Sequence, residues 1–390
     1  MRFILALLFS ASITIVAAVV FANGSNEPEA WKERIDAVLS PIAQPDAPGL
    51  AVLVKCQGRV LFEKAYGVRE LRTRTKNTPD TNFRLASFTK QFTAMATMLL
   101  VHDGKLRYDD HLTDVFPEFP AYGKAITVRH LLTHTSGLPD YEALMEKEEK
   151  ARGRTIWSPE HQIQDDEVLR LLLQASAGKF APGARWAYSN SGYVVLGLVV
   201  AKVSGMRYRD FLQERVFAPT GMKHSVVYQK GINEVSHRAF GYSLETGKWA
   251  ETDQSSTSAT LGDGGVYSNI EDLANWDEAL ENHTLLSEQD MAPALVPVKR
   301  NDGSDTRWPN EPGEDNPTPG KPVSYGFGWY LDPYRGHARM WHNGGTMGFR
   351  TAIERFPADQ LTIVILSNRA NLDAEALSEQ IAGAVLHELR

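Results

Sequence analysis

Two pairs of β-rich runs, one near each end of the chain, constrain the fold more than any other feature. The first pair occupies residues 49–55 and 59–66, and the second occupies residues 348–356 and 361–367. Within each pair the runs are joined by a short turn, whereas parallel neighbours need a crossover of about a dozen residues or more. The sequence therefore predicts an antiparallel sheet that is assembled from both ends of the chain.

The segments around and between these runs have the apolar spacing of helices. This spacing covers residues 31–39 and 377–385 at the chain ends, and residues 89–101, 128–132, 165–173 and 193–203 in the middle. We therefore predict an α/β (α+β) fold in which N- and C-terminal helices flank the sheet and a helical domain is inserted into it.

The domain boundaries follow from this arrangement. The antiparallel-sheet domain is predicted to comprise residues 28–85 and 235–390, and the mainly helical domain is predicted to comprise residues 86–234. A cleft between the two parts is the expected place for a site. Residues 297–322 are rich in Pro, Gly, Asn and Asp and lack apolar periodicity, which predicts a surface loop that could form a rim facing the substrate.

The N-terminus has the organisation of a secretory signal. Arg2 precedes an almost wholly apolar stretch at residues 3–21, and Ala22 lies at a boundary of small residues that is suitable for cleavage. We predict a signal peptide at residues 1–22 and an exported protein, periplasmic or secreted; an uncleaved segment would anchor it in the membrane. Cys56 is the single cysteine of the sequence, so an intramolecular disulfide is excluded.

The net charge argues against one class of partner. The formal charge is -7 over 390 residues, whereas nucleic-acid binding draws most of its affinity from clustered Lys and Arg. We therefore expect no nucleic-acid partner.

The first candidate catalytic pair is Ser87 with Lys90, at the start of a long helix-forming segment. Unpaired N–H groups at a helix start favour a developing oxyanion, and an amine on the same helix face can activate a serine hydroxyl. Ser-x-x-Lys alone is weak, because an isolated pair is more often a helix N-cap with a surface lysine. A second copy that begins at Ser176 is rejected because Gly178 and Pro182 break the helix it would need.

The second candidate is Tyr188 with Asn190, just before the apolar helix predicted from residue 193. A phenol is a poor base at neutral pH unless a nearby cation such as Lys90 stabilises its phenolate. Asn190 can orient that lysine or a substrate amide. The same tripeptide recurs at residues 267–269, where a helix N-cap is the simpler interpretation, so the tripeptide decides little by itself.

The third candidate is the run His342-Asn343-Gly344-Gly345, between an apolar segment and a predicted strand. Adjacent glycines let a backbone approach a ligand closely. An edge strand at this point could offer the N–H of Gly345 as an oxyanion donor beside that of Ser87.

These elements, in this order and at this spacing, resemble the serine β-lactamase and penicillin-binding-protein-like family, in particular class C β-lactamase-related hydrolases of the DD-carboxypeptidase and esterase type. The sequences at residues 130–141, 182–183, 264–268 and 325–329 are also similar to members of that family. The resemblance extends from about residue 30 to the C-terminus, and it implies the two-part fold described above.

The resemblance implies a role for each matching residue. The catalytic residues would be Ser87 as the acylated nucleophile, Lys90 as its partner, Tyr188 as the general base, and His342. The substrate-binding residues would be Asn190, Asn343, Gly344 and Gly345. The implied mechanism is acylation followed by deacylation with water, and it requires no cofactor and no metal. The implied partner is a small-molecule or peptide substrate, of which cell-wall peptides are one source.

One departure from the family pattern narrows the substrate. Class C β-lactamases carry Lys-Thr-Gly as the third element, whose lysine and threonine help to bind a substrate carboxylate. Here those positions hold His342 and Asn343. The predicted function is therefore an acyl-enzyme hydrolase of peptides, amides or esters, similar to D-Ala-D-Ala carboxypeptidases, D-aminopeptidases or esterases, with a class C-type β-lactamase as the alternative. Arg350 could restore a carboxylate contact, although an exposed strand arginine explains it as well.

Three other classes of protein compete with this hypothesis. His130 and His134 have the i, i+4 spacing of a helical metal-ligand pair, but the HExxH glutamate is absent, so packing and hydrogen bonding is the better account. An α/β-hydrolase is disfavoured because the sequence lacks Gly-x-Ser-x-Gly. A non-catalytic cell-wall or partner-binding protein of the same fold is disfavoured because every side chain that the chemistry needs is present.

Overall fold

The computed structural model describes residues 30–310 and 318–387. Within these ranges the strands are β1 (Leu50–Cys56), β2 (Arg59–Tyr66), β3 (Val68–Glu70), β4 (Thr75–Lys76), β5 (Phe83–Arg84), β6 (Val226–Val227), β7 (Tyr242–Glu245), β8 (Lys248–Glu251), β9 (Val266–Ser268), β10 (Met340–Thr346), β11 (Phe349–Phe356) and β12 (Leu361–Ser367). The α-helices are α1 (Ala30–Leu39), α2 (Lys90–His102), α3 (Leu112–Val115), α4 (Val128–Leu132), α5 (Tyr141–Arg152), α6 (Asp165–Gln174), α7 (Asn190–Ser204), α8 (Tyr208–Leu212), α9 (Ile270–Glu281), α10 (Glu288–Met291) and α11 (Ala374–Leu386).

The central sheet joins the two ends of the chain, as the short turns predicted. Its strand order is β10-β11-β12-β1-β2, and each neighbouring pair is antiparallel. β1 and β12 lie side by side, with Leu50 opposite Ser367 and Cys56 opposite Leu361. β10 is an edge strand of this sheet, which leaves one side of its backbone to face the helical part.

Both faces of the central sheet are covered. Leu50, Val52 and Val54 pack into the layer formed with the terminal helices α1 and α11, whereas Ala51 and Leu53 belong to the core shared with the helical part. Successive residues of a strand point to opposite faces, so a strand such as β1 that is buried at every position needs a layer on each side. The α+β fold with flanking terminal helices is confirmed.

The helices of the middle region lie close to their predicted positions. α4 has the predicted bounds, and α2 begins at Lys90 directly after a 3-10 turn, Ala86–Thr89, called the serine turn below. α7 begins at Asn190, three residues earlier than predicted, because Ser189 Oγ accepts the N–H of Gly192 and caps the helix there. The start predicted at residue 193 was wrong for that reason.

Several predictions concern the boundaries and ends of the chain. The predicted signal peptide at residues 1–22 lies outside the described residues, as do residues 311–317 of the predicted loop. The domain boundaries stay predictions, and the small sheet β5-β9-β6 combines strands from both predicted domains. In the ranges that the structure describes, no helix is both long and apolar enough to cross a membrane.

Candidate active site

Ser87 lies in the serine turn, immediately before α2. The residue preceding it, Ala86, has a φ of 50°, in the left-handed region that residues other than glycine rarely adopt. Ser87 occupies neither cap position: Leu85 caps the serine turn and Thr89 caps α2, and neither makes a side-chain cap hydrogen bond. The alternative interpretation of Ser87 as a helix N-cap was therefore wrong.

Lys90 is the residue that connects the candidate catalytic groups. Its side chain is fully buried, and its Nζ donates to Ser87 Oγ at 3.0 Å, to Asn190 Oδ1 at 2.9 Å and to the backbone oxygen of Asp263 at 3.0 Å. The last two acceptors are carbonyl oxygens, so each takes one N–H of the lysine. The third position on the nitrogen faces Ser87, where an ammonium donates and a neutral amine would present its lone pair to the hydroxyl.

Tyr188 completes this group. Lys90 Nζ lies 4.8 Å from the centroid of the Tyr188 ring and 5.6 Å from that of Tyr193, so the lysine nitrogen contacts two aromatic faces. An alcohol, an amine and a phenol from two separate segments therefore converge, together with the amide of Asn190. The catalytic roles of these residues stay predictions.

His134 holds the segment that carries Tyr188. The backbone N–H of Ser189 donates to His134 Nδ1 at 3.1 Å, and the His134 ring lies 4.4 Å from the Tyr188 ring, centroid to centroid. Burial, and then the charge of Lys90, hold the pKa of His134 well below its usual value, so the ring is neutral. His130 is held by Thr127, whose N–H donates to His130 Nδ1 at 3.1 Å. Both histidines thus have a hydrogen-bonding role in this structure.

His342 lies behind Tyr188 as a buried, neutral ring. Its Nδ1 donates to the carbonyl oxygen of Asn343 at 2.6 Å, which leaves Nε2 to accept the hydroxyl of Tyr325 at 3.1 Å. Burial, and then the charge of Lys90, lower the pKa of His342 to about 3. The ring centroids of His342 and Tyr188 are 6.3 Å apart. At neutral pH this residue therefore supplies no positive charge where class C enzymes carry a lysine.

The backbone of β10 directs an N–H group toward the serine turn. Trp341 exchanges both of its backbone hydrogen bonds with Tyr330, on the side of β10 away from β11. Because N–H and C=O groups alternate sides along a strand, the N–H of Gly345 points to that same outer edge. Gly344 packs directly against Leu85, the residue before the serine turn. The edge of β10 therefore lies against the serine turn, on the side to which the N–H of Gly345 points.

Asn343 on β10 and Arg350 on β11 are each held by neighbouring groups. Asn343 Nδ2 donates to Glu375 Oε2 at 2.9 Å. Burial, and then the nearby Glu379, raise the pKa of Glu375 to about 7. Arg350 Nη1 donates to the backbone oxygens of Thr346 at 2.6 Å and of Phe349 at 2.8 Å. These contacts pair Asn343 with the carboxyl group of Glu375 and direct Arg350 to its own hairpin.

Replacing Gly344 tests the contact between β10 and the serine turn. A Cβ at this position would lie 2.1 Å from the oxygen of Leu85 and 2.5 Å from Thr351 Oγ1. We expect Gly344→Ala to lower the free energy of unfolding by about 1–3 kcal/mol and to slow fluorophosphonate labelling about tenfold or more. The matched control is Gly345→Ala, whose Cβ would first meet the flexible Arg350 side chain at 3.7 Å. An equal loss of labelling rate in both variants would show that the contact between Gly344 and Leu85 does not position Ser87.

Sequence reasoning missed the partners that hold the candidate residues. The backbone oxygen of Asp263, the Tyr325 hydroxyl and His134 Nδ1 were not predicted as contacts of the site. One signal was available in the glycines of residues 325–329: Gly328 has a φ of 76°, and a Cβ there would lie 2.9 Å from the oxygen of Lys90. That glycine therefore marks a loop packed against the first turn of α2.

A serine in contact with a buried lysine, beside a tyrosine and the edge of an antiparallel sheet, is typical of hydrolases that form an acyl-enzyme. A family model described as Beta-lactamase matches residues 25–386, and the chain therefore belongs to the β-lactamase family of serine hydrolases.

The chain is also similar to individual relatives and solved structures. Penicillin-binding protein 4* of Bacillus subtilis (strain 168) is 32% identical over 332 residues, which cover 82% of this chain and 67% of that protein. The octameric penicillin-binding protein homologue from Pyrococcus abyssi has a TM-score of 0.74 at 24% identity, covering 92% of this chain and 77% of that chain. D-amino acid amidase from Ochrobactrum anthropi SV3 has a TM-score of 0.74 at 22% identity, covering 92% of this chain and 99% of that chain. The two structural likenesses are likenesses of fold.

Proposed function

We propose that this protein is an exported hydrolase that cleaves amides, peptides or esters through an acyl-enzyme on Ser87. The observation that carries the proposal is the set of contacts made by Lys90, whose Nζ bonds Ser87 Oγ and Asn190 Oδ1 while lying against the Tyr188 ring. Export is proposed from the predicted signal peptide at residues 1–22.

The acylation step uses the groups that converge on Lys90. Ser87 Oγ attacks the substrate carbonyl carbon, and its proton passes to Tyr188, whose phenolate is stabilised by the adjacent ammonium. The N–H groups of Ser87 and Gly345 stabilise the oxyanion. As the tetrahedral intermediate collapses, Tyr188 returns the proton to the leaving group. Water then attacks the acyl-enzyme along the same route and releases the acid and Ser87.

The charges around β10 favour a substrate that lacks a carboxylate at this point. His342 is neutral because burial lowers its pKa to about 3, and Asn343 is bonded to the carboxyl group of Glu375. A cation at this strand would bind a substrate carboxylate, whereas the neutral ring of His342 and the side-chain amide of Asn343, already bonded to Glu375, supply no positive charge for it. We therefore favour a D-aminopeptidase-like amidase or an esterase over a D-Ala-D-Ala carboxypeptidase or a class C-type β-lactamase.

The fold of the D-amino acid amidase from Ochrobactrum anthropi SV3 agrees with an amidase without identifying the substrate. The test is a side-by-side assay of D-amino acid amides, p-nitrophenyl esters, D-alanyl-D-alanine peptides and nitrocefin, with a fluorophosphonate to label the nucleophile. We expect label on the Ser87 peptide and turnover of amides or esters. Fast nitrocefin hydrolysis would favour the β-lactamase, and no labelling at any pH would favour a binding protein.

A further inference from the structure

A group of stacked rings adjoins the proposed base. It is called the aromatic wall here and consists of Trp186, Tyr325, Tyr330, Trp341 and Trp308. The rings form a continuous series: Trp308 stacks on Tyr330 at 6.0 Å, and Tyr330 stacks on Trp341 at 4.5 Å, centroid to centroid. Trp308 also meets Trp186 edge to face at 4.7 Å. Four of these side chains are buried, and Trp308 is half-buried.

Trp308 reaches the wall from the loop predicted at residues 297–322. The backbone N–H of Trp308 donates to the oxygen of Lys321 at 2.9 Å, and that of Val323 donates to the oxygen of Thr306 at 3.1 Å, which builds a short ladder at the base of the loop. Asn301 fixes the loop to the segment before Tyr188, because its N–H donates to the oxygen of Gly183 at 2.9 Å. Backbone hydrogen bonds thus hold the segment that carries Trp308, and the rings of Trp186 and Tyr330 pack against its indole.

The wall lies on the Tyr188 side of the site. Trp186 is two residues before Tyr188, and their ring centroids are 6.4 Å apart. In the proposed mechanism Tyr188 returns a proton to the departing atom, so the leaving group must lie over Tyr188 during acylation. The acyl group instead stays on Ser87 after the leaving group has gone. A substituent on the leaving group is therefore the part of the substrate directed toward the aromatic wall.

We propose that Trp308, the half-buried member of the aromatic wall, binds an apolar ring on the leaving group and is the specificity-determining side chain, with the four buried rings supporting it. The favoured substrates would be arylmethyl esters or amides, because rings gain most from edge-to-face or offset contacts with other rings. This inference rests on the proposed function, since it uses Tyr188 as the group that protonates the leaving atom. It adds the chemical class of the leaving group, which the catalytic residues do not specify.

The test compares benzyl acetate with methyl acetate, whose leaving alcohols have similar acidity and differ by a ring. We expect the wild-type protein to prefer the benzyl ester, and Trp308→Ala to reduce the ratio of the two kcat/KM values about tenfold. Trp308→Phe should keep most of the preference. Both esters give the same acetyl-enzyme, so a kcat limited by deacylation should not change. The control is Trp249→Ala. Trp249 lies on β8, and its half-buried indole packs against Arg369.

A second readout does not depend on ester turnover. Benzyl alcohol should slow fluorophosphonate labelling of Ser87 in the wild-type protein more than in Trp308→Ala, and methanol should slow it in neither. An unchanged benzyl-to-methyl ratio in Trp308→Ala, or an equal loss for both esters, would overturn the proposal. So would a loss seen only with methyl phenylacetate, because the wall would then bind the acyl group. Absence of wild-type labelling would instead remove the proposed function itself.

Discussion

Ser87→Ala should lower the rate of substrate hydrolysis by about 10⁴- to 10⁶-fold, because alanine has no oxygen to attack the substrate carbonyl carbon. Mass added by a fluorophosphonate should disappear from the peptide that contains residue 87. The fold should persist, because Ser87 caps no helix and its loss removes one hydrogen bond to Lys90. We expect the free energy of unfolding to change by no more than about 1–3 kcal/mol, as measured by denaturant unfolding.

The chain supplies its own control for this experiment. Ser176 begins the second Ser-x-x-Lys of the sequence, but it is exposed and lies after α6 has ended. In Ser176→Ala, the fluorophosphonate should therefore label Ser87, and substrate should be turned over, as in the wild-type protein. If Ser87→Ala kept its activity and Ser176→Ala lost it, the assignment of the nucleophile would be wrong and the contacts of Lys90 would need another explanation.

The sequence predicted which groups meet at the site better than it predicted what holds them. Ser87, Lys90, Tyr188 and Asn190 could be selected because each carries a side chain whose chemistry is apparent in the sequence. The acceptor that anchors Lys90 on its buried side is the backbone oxygen of Asp263. Every residue has such an oxygen, so no sequence pattern distinguishes this one.

The protonation state of His342 is a second property of the site that the sequence could not predict. The sequence identifies an imidazole at the position of a lysine, but its protonation depends on burial, on the charge of Lys90 and on hydrogen bonds to Asn343 and Tyr325. Lys90 and Tyr325 come from other segments, and the sequence does not contain their distances from His342. The result is a neutral ring, which strengthens the argument against carboxylate recognition.

Strand length explains why the central sheet could be predicted and the small sheet β5-β9-β6 could not. β1, β2, β11 and β12 are each seven or eight residues long, so their apolar patterns and short turns were readable. The strands of the small sheet have two or three residues, and no periodicity can be established over that length. That sheet nevertheless supports the site, because the backbone N–H of Leu85, just before the serine turn, donates to the oxygen of Val266 at 2.9 Å.

Tyr188→Phe separates the two groups that could remove the proton from Ser87. Phenylalanine keeps the ring that contacts Lys90 at 4.8 Å and His134 at 4.4 Å, so the packing should be unchanged. If Tyr188 is the base, acylation should slow by about 10²- to 10⁴-fold, measured as the rate of fluorophosphonate labelling. The ionisation of the base should also disappear from the pH–rate profile. The control is Tyr122→Phe, which removes a hydroxyl that donates to the oxygen of Leu172 in the helical part.

The opposite result would be equally informative, because the geometry offers a second base. Two N–H groups of Lys90 are taken by Asn190 Oδ1 and the oxygen of Asp263, so a neutral amine would direct its lone pair at Ser87 Oγ. Near-wild-type labelling in Tyr188→Phe would therefore transfer the role of base to Lys90. If Lys90 is the base, Lys90→Met should abolish labelling of Ser87. If Tyr188 is the base, Lys90→Met should keep a residual rate of labelling that still depends on the Tyr188 hydroxyl. Measuring both variants across pH decides between the two proton paths, because only a phenolate base links the rate to the ionisation of Tyr188.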